Sequence, residues 1–562
     1  MSKIVKETEN QIKNAVFSAM KTAIEKGDLT GEMPADFTIE VPQDRTHGDY
    51  AVNAAMVSAR NFKIAPRKIA EIICENLNTE NTCIKSFEIA GPGFINFFLT
   101  DLYYSSILKD VEMMGDDYGQ SEYGENKKVL IEFVSANPTG PMHIGNARGG
   151  ALGDCLASVM QKAGFDVSRE FYVNDAGNQI EKFKISLEAR YLQLFDSSVE
   201  IPEDAYLGGD IIEHAENFKK LYGDKYVNAD SDERKQALCD YALPLNIQKL
   251  HDDLEKYRII YDCWFKESEL HSSGAVADII EKLKASGHTY EQDGALWFKS
   301  TDFGEDKDRV LVRANGVVTY FVPDIAYHYN KLVTRGYDLA IDVLGADHHG
   351  YVPRMKGALT ALGIDENRLD AIIMQMVRLV KNGETYKLSK RSGKAVTLET
   401  LLDEVPIDAA RLFFNLREPN THFEFDLDLA VKQESQNPVY YVQYAHARIC
   451  SIIRNLKAQG IDKKQLDAEQ LCVLTAPEER ELIRHIAAYT DNIIASAKDY
   501  NPAVITRYVI DLATLFHKFY NACPVKSAED NLKYARLELC TATASVLRNA
   551  LSLLKIDAPE KM

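Results

Sequence analysis

Val129-Leu130-Ile131-Glu132-Phe133-Val134 is a largely apolar run of strand length, followed by a loop rich in Gly, Pro and Asn. A helical run from about Gly145 to Lys162 comes next and stops at Gly164, and a second strand spans Ser168 to Val173. Strand, glycine-rich loop, helix and strand is the opening of a parallel βαβ unit. Strand material returns at residues 295–298, 310–312, 317–320, 339–344 and 374–380, while residues 178–285 are mostly helical and acidic and read as an insertion. Upstream, residues 1–120 mix an amphipathic opening helix, strand-like pieces at 37–41 and 94–99, and a helical run from Ala65 to Leu77. They read as a small α+β domain closed by a linker at 115–120. After Leu398 only helical periodicity is visible, broken near Pro438, Gly460, Pro502 and Pro559. The pattern predicts a multidomain chain: an α+β domain (1–120), a doubly wound α/β domain of Rossmann type (121–400), connecting helices (401–436) and an all-α domain (437–562).

The length of 562 residues suits three to four domains of roughly 150 residues. The 46% hydrophobic and 27% charged fractions are those of a globular chain, which excludes disordered and coiled-coil classes. No run approaches the roughly 20 apolar residues that span a bilayer, and the opening MSKIVKETENQ carries acids, so a cytoplasmic chain with no membrane partner is expected. Nine cysteines are scattered without C-x-x-C spacing and read as reduced structural thiols. The net charge of −19 speaks against a nucleic-acid partner, but its distribution is uneven. Residues 431–562 hold 17 Lys and Arg against 15 Asp and Glu, which leaves an RNA partner open and points to the tail.

Two segments carry candidate chemistry. Ser135-Ala-Asn-Pro-Thr-Gly140-Pro-Met-His143-Ile-Gly145-Asn146-Ala-Arg148 lies between a buried strand and a helix, where backbone N–H groups and the positive helix end hold phosphate. His143 in this position can donate to a phosphoryl oxygen as charge develops, although taken alone it reads as a core-facing histidine in a tight turn. Lys387-Leu-Ser389-Lys390-Arg-Ser-Gly-Lys394 follows a strand and hairpin within acidic flanks. Most such runs are solvated; near the end of an α/β strand, a mobile loop bringing lysines to phosphate is the better reading. Asp347-His348-His349 lacks a third nearby ligand and does not read as a zinc site, so no metal site is expected.

The strings P-x-x-P-x-H-I-G-N and K-L-S-K-R resemble the HIGH and KMSK signatures of class I aminoacyl-tRNA synthetases. E-F-V-S-A-N-P-T-G-P-M-H-I-G-N-A-R, Y-F-V-P-D-I-A-Y-H, Y-V-Q-Y-A-H-A-R and the terminal I-D-A-P-E-K-M are similar to bacterial arginyl-tRNA synthetases over essentially the whole chain. One position departs: Asn146 stands where the last histidine of HIGH is usual, and asparagine donates a hydrogen bond but carries no charge. The resemblance implies a monomeric ATP-dependent ligase that activates L-arginine and transfers it to tRNA(Arg), with Mg²⁺ carried by ATP. It makes 1–120 a tRNA-contacting domain, 121–400 catalytic, 401–436 stem-contacting and 437–562 anticodon-binding.

It further implies catalytic roles for His143, Lys387 and Lys390, and ATP contacts from Gly140, His143, Gly145, Asn146, Arg148, Lys387, Ser389 and Lys390. Free arginine presents a planar fork of five donors, so a selective pocket needs a carboxylate in bidentate geometry. Resemblance assigns Glu132, Asn137, Tyr320 and Asp324 to that pocket, with Ser135, His143 and His348 beside them. Glu132 and Asp324 are expected at the guanidinium, Tyr320 ordering that end, and Asn137 at the α-carboxylate; relatives often carry Gln near His348, contacting the α-amino group. Asp324 also reads as the N-cap of a helix over Ile325–Val333. Tyr441, Tyr444 and Arg448 share one helix face. Periodicity alone makes that face an aromatic core, and the resemblance makes it a base-stacking surface closed by Met562, with Tyr440 in the core. Asp49 and Asn53 are candidate tRNA contacts, with helix start and packing as the plain alternative. Two rivals remain open: a small-molecule nucleotidyltransferase and a catalytically silent RNA-binding paralogue.

Overall fold

The computed structural model describes residues 3–42, 44–386 and 396–562. Its centre is a parallel sheet of five strands, β1 (Lys128–Glu132), β2 (Asp166–Val173), β3 (Cys263–Lys266), β4 (Leu339–Gly345) and β5 (Leu369–Met374), in the order β3-β2-β1-β4-β5. The order reverses between β1 and β4, and in such sheets ligands bind outside the carboxyl ends of the strands at that point. Helix α1 (Ile144–Lys162) returns from β1 and packs so closely that a Cβ on Gly153 would lie 2.3 Å from the Phe133 ring. Glycine there lets helix and strand approach, as a buried βα unit requires.

The inserted region is shorter than its composition suggests, because Cys263–Lys266 within 178–285 is a strand of the central sheet. Four residues are too few for a periodicity signal. Helices Gly177–Gln193, Gly209–Tyr222 and Ser231–Lys256 form the inserted unit around their own core of Phe183, Leu187, Phe218 and Leu238. Residues 317–320 are not a strand either: Val318 makes one isolated bridge to Val312, and Tyr320 caps helix α2 (Phe321–Tyr329). Helix α3 (Tyr351–Ala361) follows β4. Beyond Leu398 the reading of helices alone also fails, since Phe423–Asp426 pairs in parallel with Val377–Lys381.

The N-terminal part sets an antiparallel four-stranded sheet against helices that include Lys3–Lys26 and Asp101–Met114. The C-terminal part is helical and includes α4 (Pro438–Ala458), α5 (Ala503–Ala522) and α6 (Asp530–Leu553). Tyr118, in the stretch read as a linker, is fully buried and donates to the Ile486 carbonyl, so that stretch is anchored in the helical part. Among the described residues no helix is long and apolar enough to cross a membrane.

Candidate active site

The loop after β1 begins with a reversal. Val134 (φ 70°) and Ser135 (φ 39°) both lie in left-handed space, and the Ser135 N–H donates to the Phe133 carbonyl at 3.0 Å, closing a three-residue turn. A β-branched residue at positive φ costs on the order of 1–3 kcal/mol, which the surroundings must offset. Ser135 Oγ donates to Glu132 Oε1 (2.8 Å) and accepts from the Tyr172 N–H (3.1 Å), and Tyr261 donates to the Phe133 carbonyl (2.9 Å). The turn thus stops β1 and fixes the Glu132 carboxylate.

His143 is the N-cap of α1. Its Nδ1 accepts from the Gly145 N–H (3.1 Å), while Asn146 Oδ1 accepts from the His143 N–H (3.0 Å). Partial burial lowers the imidazole pKa. With Nδ1 an acceptor, the neutral ring carries its proton on Nε2 and presents a donor. Gly145 is needed here, since a Cβ would lie 2.9 Å from the His143 ring. Asn146 therefore closes a capping box, a role that needs only its carbonyl oxygen. A Cβ on Gly140 would meet only Asp210 Oδ2, at 3.9 Å, so the loop surface is open there.

Lys387, Ser389 and Lys390 lie outside the described residues. The chain that leaves that segment is bonded to the first loop: Ile144 N–H donates to the Val396 carbonyl (3.1 Å) and Leu398 N–H to the Met142 carbonyl (2.9 Å), with His143 and Thr397 paired antiparallel. Two stretches some 250 residues apart meet at the N-terminus of α1.

The carboxyl ends of the central strands hold a concentration of carboxylates. Asp342, Glu132 and Glu170 occupy one register across β4, β1 and β2. Buried Lys331 lies 2.5 Å from Glu132 Oε2 and 2.9 Å from Asp342 Oδ1, and Arg335 grips Glu170. Burial opposes the Asp342 charge, yet Lys331 and His328 hold its carboxyl far below the usual range. His328 bridges the Asp324 carbonyl (2.8 Å) and Asp342 Oδ2 (2.7 Å). Asp324 is pushed up to about 7, chiefly by burial and by Glu267 and Glu132, against the opposing pull of His328 and a hydrogen bond from Tyr351. Glu267, at the end of β3, is buried; burial raises its pKa and the Tyr172 hydroxyl bonds it. Asn174, with its amide turned to satisfy its partners, donates to Glu267 (2.8 Å) and lies 3.3 Å from the Asn137 amide. Among the described residues, the acids at the strand ends outnumber the Lys and Arg beside them, and no Lys or Arg pairs with Asp324.

Other expected site residues fall differently. Asp324 is not an N-cap: α2 starts at Phe321, and Asp324 lies one turn inside it. The Tyr320 hydroxyl accepts from the Asn178 N–H (3.2 Å), tying it to the inserted helices. His348 is exposed and packs edge-on against Tyr351. Arg148 is a correction. It is fully buried, and its guanidinium donates to the carbonyls of Gln375 (2.6 Å), Glu418 (3.1 Å) and Thr421 (3.2 Å), so it cannot reach nucleotide. Asp49 is another: 6% exposed, it accepts from Leu99 N–H, the Tyr104 hydroxyl and Arg484, locking the first domain to the last. Asn53 is half-buried and accepts from the Thr38 N–H (2.9 Å) just before helix Ala54–Phe62.

On α4, Tyr444 is exposed and Arg448 lies over the Tyr520 ring at 4.6 Å. Tyr441 turns partly inward against His517 and Thr514. Tyr440 is not core: it is half-buried and stacks on Tyr444, with ring centroids 6.1 Å apart and planes 10° from parallel. Tyr444 stacks in turn near His517. The chain end runs along the adjacent face of α4, held by Gln443 to Asp557, His446 to Pro559 and Arg454 to Glu560, and Met562 is exposed. His517 and Tyr520 come from α5 and carry no sequence signal linking them to α4. Asn246, on an inserted helix, also went unread; it donates to the Pro138 carbonyl (2.9 Å) and bonds His214, bracing the first loop.

Comparison with known proteins gives a consistent picture. Family profiles match at residues 7–99 (arginyl tRNA synthetase N terminal domain), 108–449 (class I tRNA synthetase (R) catalytic domain) and 442–562 (DALR anticodon binding domain). The arginine–tRNA ligase of Caldanaerobacter subterraneus subsp. tengcongensis is 54% identical over all of both chains. That of Acetivibrio thermocellus is 50% identical over all of both chains. The solved arginyl-tRNA synthetase of Thermus thermophilus shares the fold, with a TM-score of 0.74 over 98% of this chain and 99% of the other at 22% identity.

Proposed function

The chain belongs to the arginyl-tRNA synthetases, ATP-dependent class I ligases that join arginine to tRNA, and on that premise we propose how its residues divide the work. Glu132 and Asp324 take the guanidinium of L-arginine, with Tyr320 and His348 bordering the pocket and Asn137 and Ser135 toward the α-carboxylate end. ATP, carrying Mg²⁺, lies over Gly140, His143, Gly145 and Asn146 and is reached by Lys387, Ser389 and Lys390. In the first step the arginine carboxylate attacks the α-phosphorus in line and pyrophosphate leaves; in the second, a hydroxyl of the terminal tRNA adenosine attacks the arginyl-adenylate.

Little covalent work falls to side chains in such a transfer, so positioning and charge stabilisation carry the rate. The Nε2–H of His143 is a neutral donor that can follow a phosphoryl oxygen as its charge grows. The observation that carries this reading is the backbone pairing of Met142–Ile144 with Val396–Leu398, which joins the chain leaving the lysine segment to the loop that follows Glu132 and supports lysines and pocket acids acting on one adenylate. Tyr444, Arg448, Tyr440 and His517 offer stacking planes for splayed anticodon bases, with Met562 nearby. The enzyme acts as a cytoplasmic monomer in this reading. Pyrophosphate exchange with a panel of amino acids, with and without tRNA(Arg), tests it: arginine alone should support exchange, and exchange with glutamate or cysteine in its place would overturn the substrate assignment.

A further inference from the structure

The register that places Asp342, Glu132 and Glu170 side by side creates a problem, since like charges on adjacent strands repel. Two cations four residues apart answer it. Helix α2 ends at Tyr329 and the chain continues as a wider π turn over Asn330–Thr334, a form that concentrates at functional sites. Lys331 on that turn is completely buried, its ammonium 4.1 Å from the Tyr327 ring centre, between Glu132 and Asp342. Arg335, where the turn ends, closes on Glu170.

The two oxygens of Glu132 are therefore spoken for within the protein, Oε2 by Lys331 and Oε1 by Ser135 Oγ. Each keeps a lone pair, so the carboxylate can still accept from a substrate, but only in the plane these partners impose. We propose that Lys331 is a positioning residue for amino-acid recognition: it holds Glu132 in the orientation that receives the arginine guanidinium. This rests on Glu132 lying in the arginine pocket. Asp342 acts on the other side of the ammonium, retaining Lys331 without touching substrate.

The test compares variants that damage the same buried network from its two ends. In pyrophosphate exchange with tRNA(Arg) present, Lys331→Met should raise the arginine KM at least about tenfold while the ATP KM stays within about twofold, the signature of lost binding at one substrate alone. Asp342→Asn leaves the Lys331–Glu132 pair intact and should move the arginine KM less than about threefold, whatever it does to the melting temperature. Equal effects of the two variants, or a Lys331→Met enzyme with lower melting temperature and unaltered arginine KM, would overturn the proposal and leave Lys331 a purely structural cation. Should Lys331→Met not fold, Lys331→Gln, of similar length and uncharged, is judged by the same criteria. Glu132→Gln separates the two readings: an unchanged arginine KM there removes the pocket assignment itself, whereas a raised one beside a silent Lys331 variant removes only the present proposal.

Discussion

Asp324 is the pocket acid whose charge is most in question, because burial and the neighbouring Glu267 and Glu132 push its carboxyl up to about 7. A guanidinium binds the carboxylate and not the acid, so arginine binding must expel the proton. The arginine KM should therefore rise as pH falls below about 7 and level off above about 8, and a flat profile from pH 6 to 9 would show that Asp324 does not face the substrate. Gly145 poses a different question. A methyl group there would press on the His143 ring from 2.9 Å, so Gly145→Ala should lower kcat at least about tenfold with the melting temperature little changed, readable by steady-state exchange beside a thermal scan. At this scale a residue's place in the fold was legible where a residue type and a strand end coincide, as for Glu132 closing β1, or where a motif is contiguous, as for His143 capping α1. It was not legible for Lys331, Glu267 or Asp342, single charged residues on a π turn, a helix start and a strand that only the fold brings together.

Among elements, α1 shows how far a local pattern reaches. Its start was readable because a cap is a short-range affair: His143, Gly145 and Asn146 satisfy one another within four residues. Arg148, on the same first turns, was misread because its partners, the carbonyls of residues 375, 418 and 421, come from segments more than 200 residues away. Arg148→Ala should leave the Gln375 and Thr421 carbonyls without their guanidinium donor and lower stability by at least about 2 kcal/mol, while the ATP KM of the folded enzyme stays unchanged. Urea unfolding beside ATP kinetics decides this; a raised ATP KM at normal stability would return Arg148 to the nucleotide. The strands Cys263–Lys266 and Phe423–Asp426 escaped the sequence for a related reason, being too short for an alternation to register against helical flanks.

Across the whole molecule, the α/β and helical parts were readable from length, periodicity and the order of the motifs, but the way they are fastened was not. Asp49, Tyr104 and Arg484 join the first domain to the last, and Arg258 ties the end of the inserted helices to Asp408 and Asp557. Tyr444 sits clear of such joints, so Tyr444→Ala should raise the tRNA KM at least about tenfold with exposed-residue effects on stability of no more than about 0.5 kcal/mol. A large drop in melting temperature would instead make it a core residue. The most direct test remains at the centre of the sheet, where the crossing of strand order sets Glu132 and Asp342 side by side. In tRNA-supplemented pyrophosphate exchange, Asp324→Asn should raise the arginine KM at least about thirtyfold, about 2 kcal/mol, with the ATP KM nearly constant. If the two constants rise together, or the arginine KM does not move, the carboxylates at the strand ends are not what grips the amino acid.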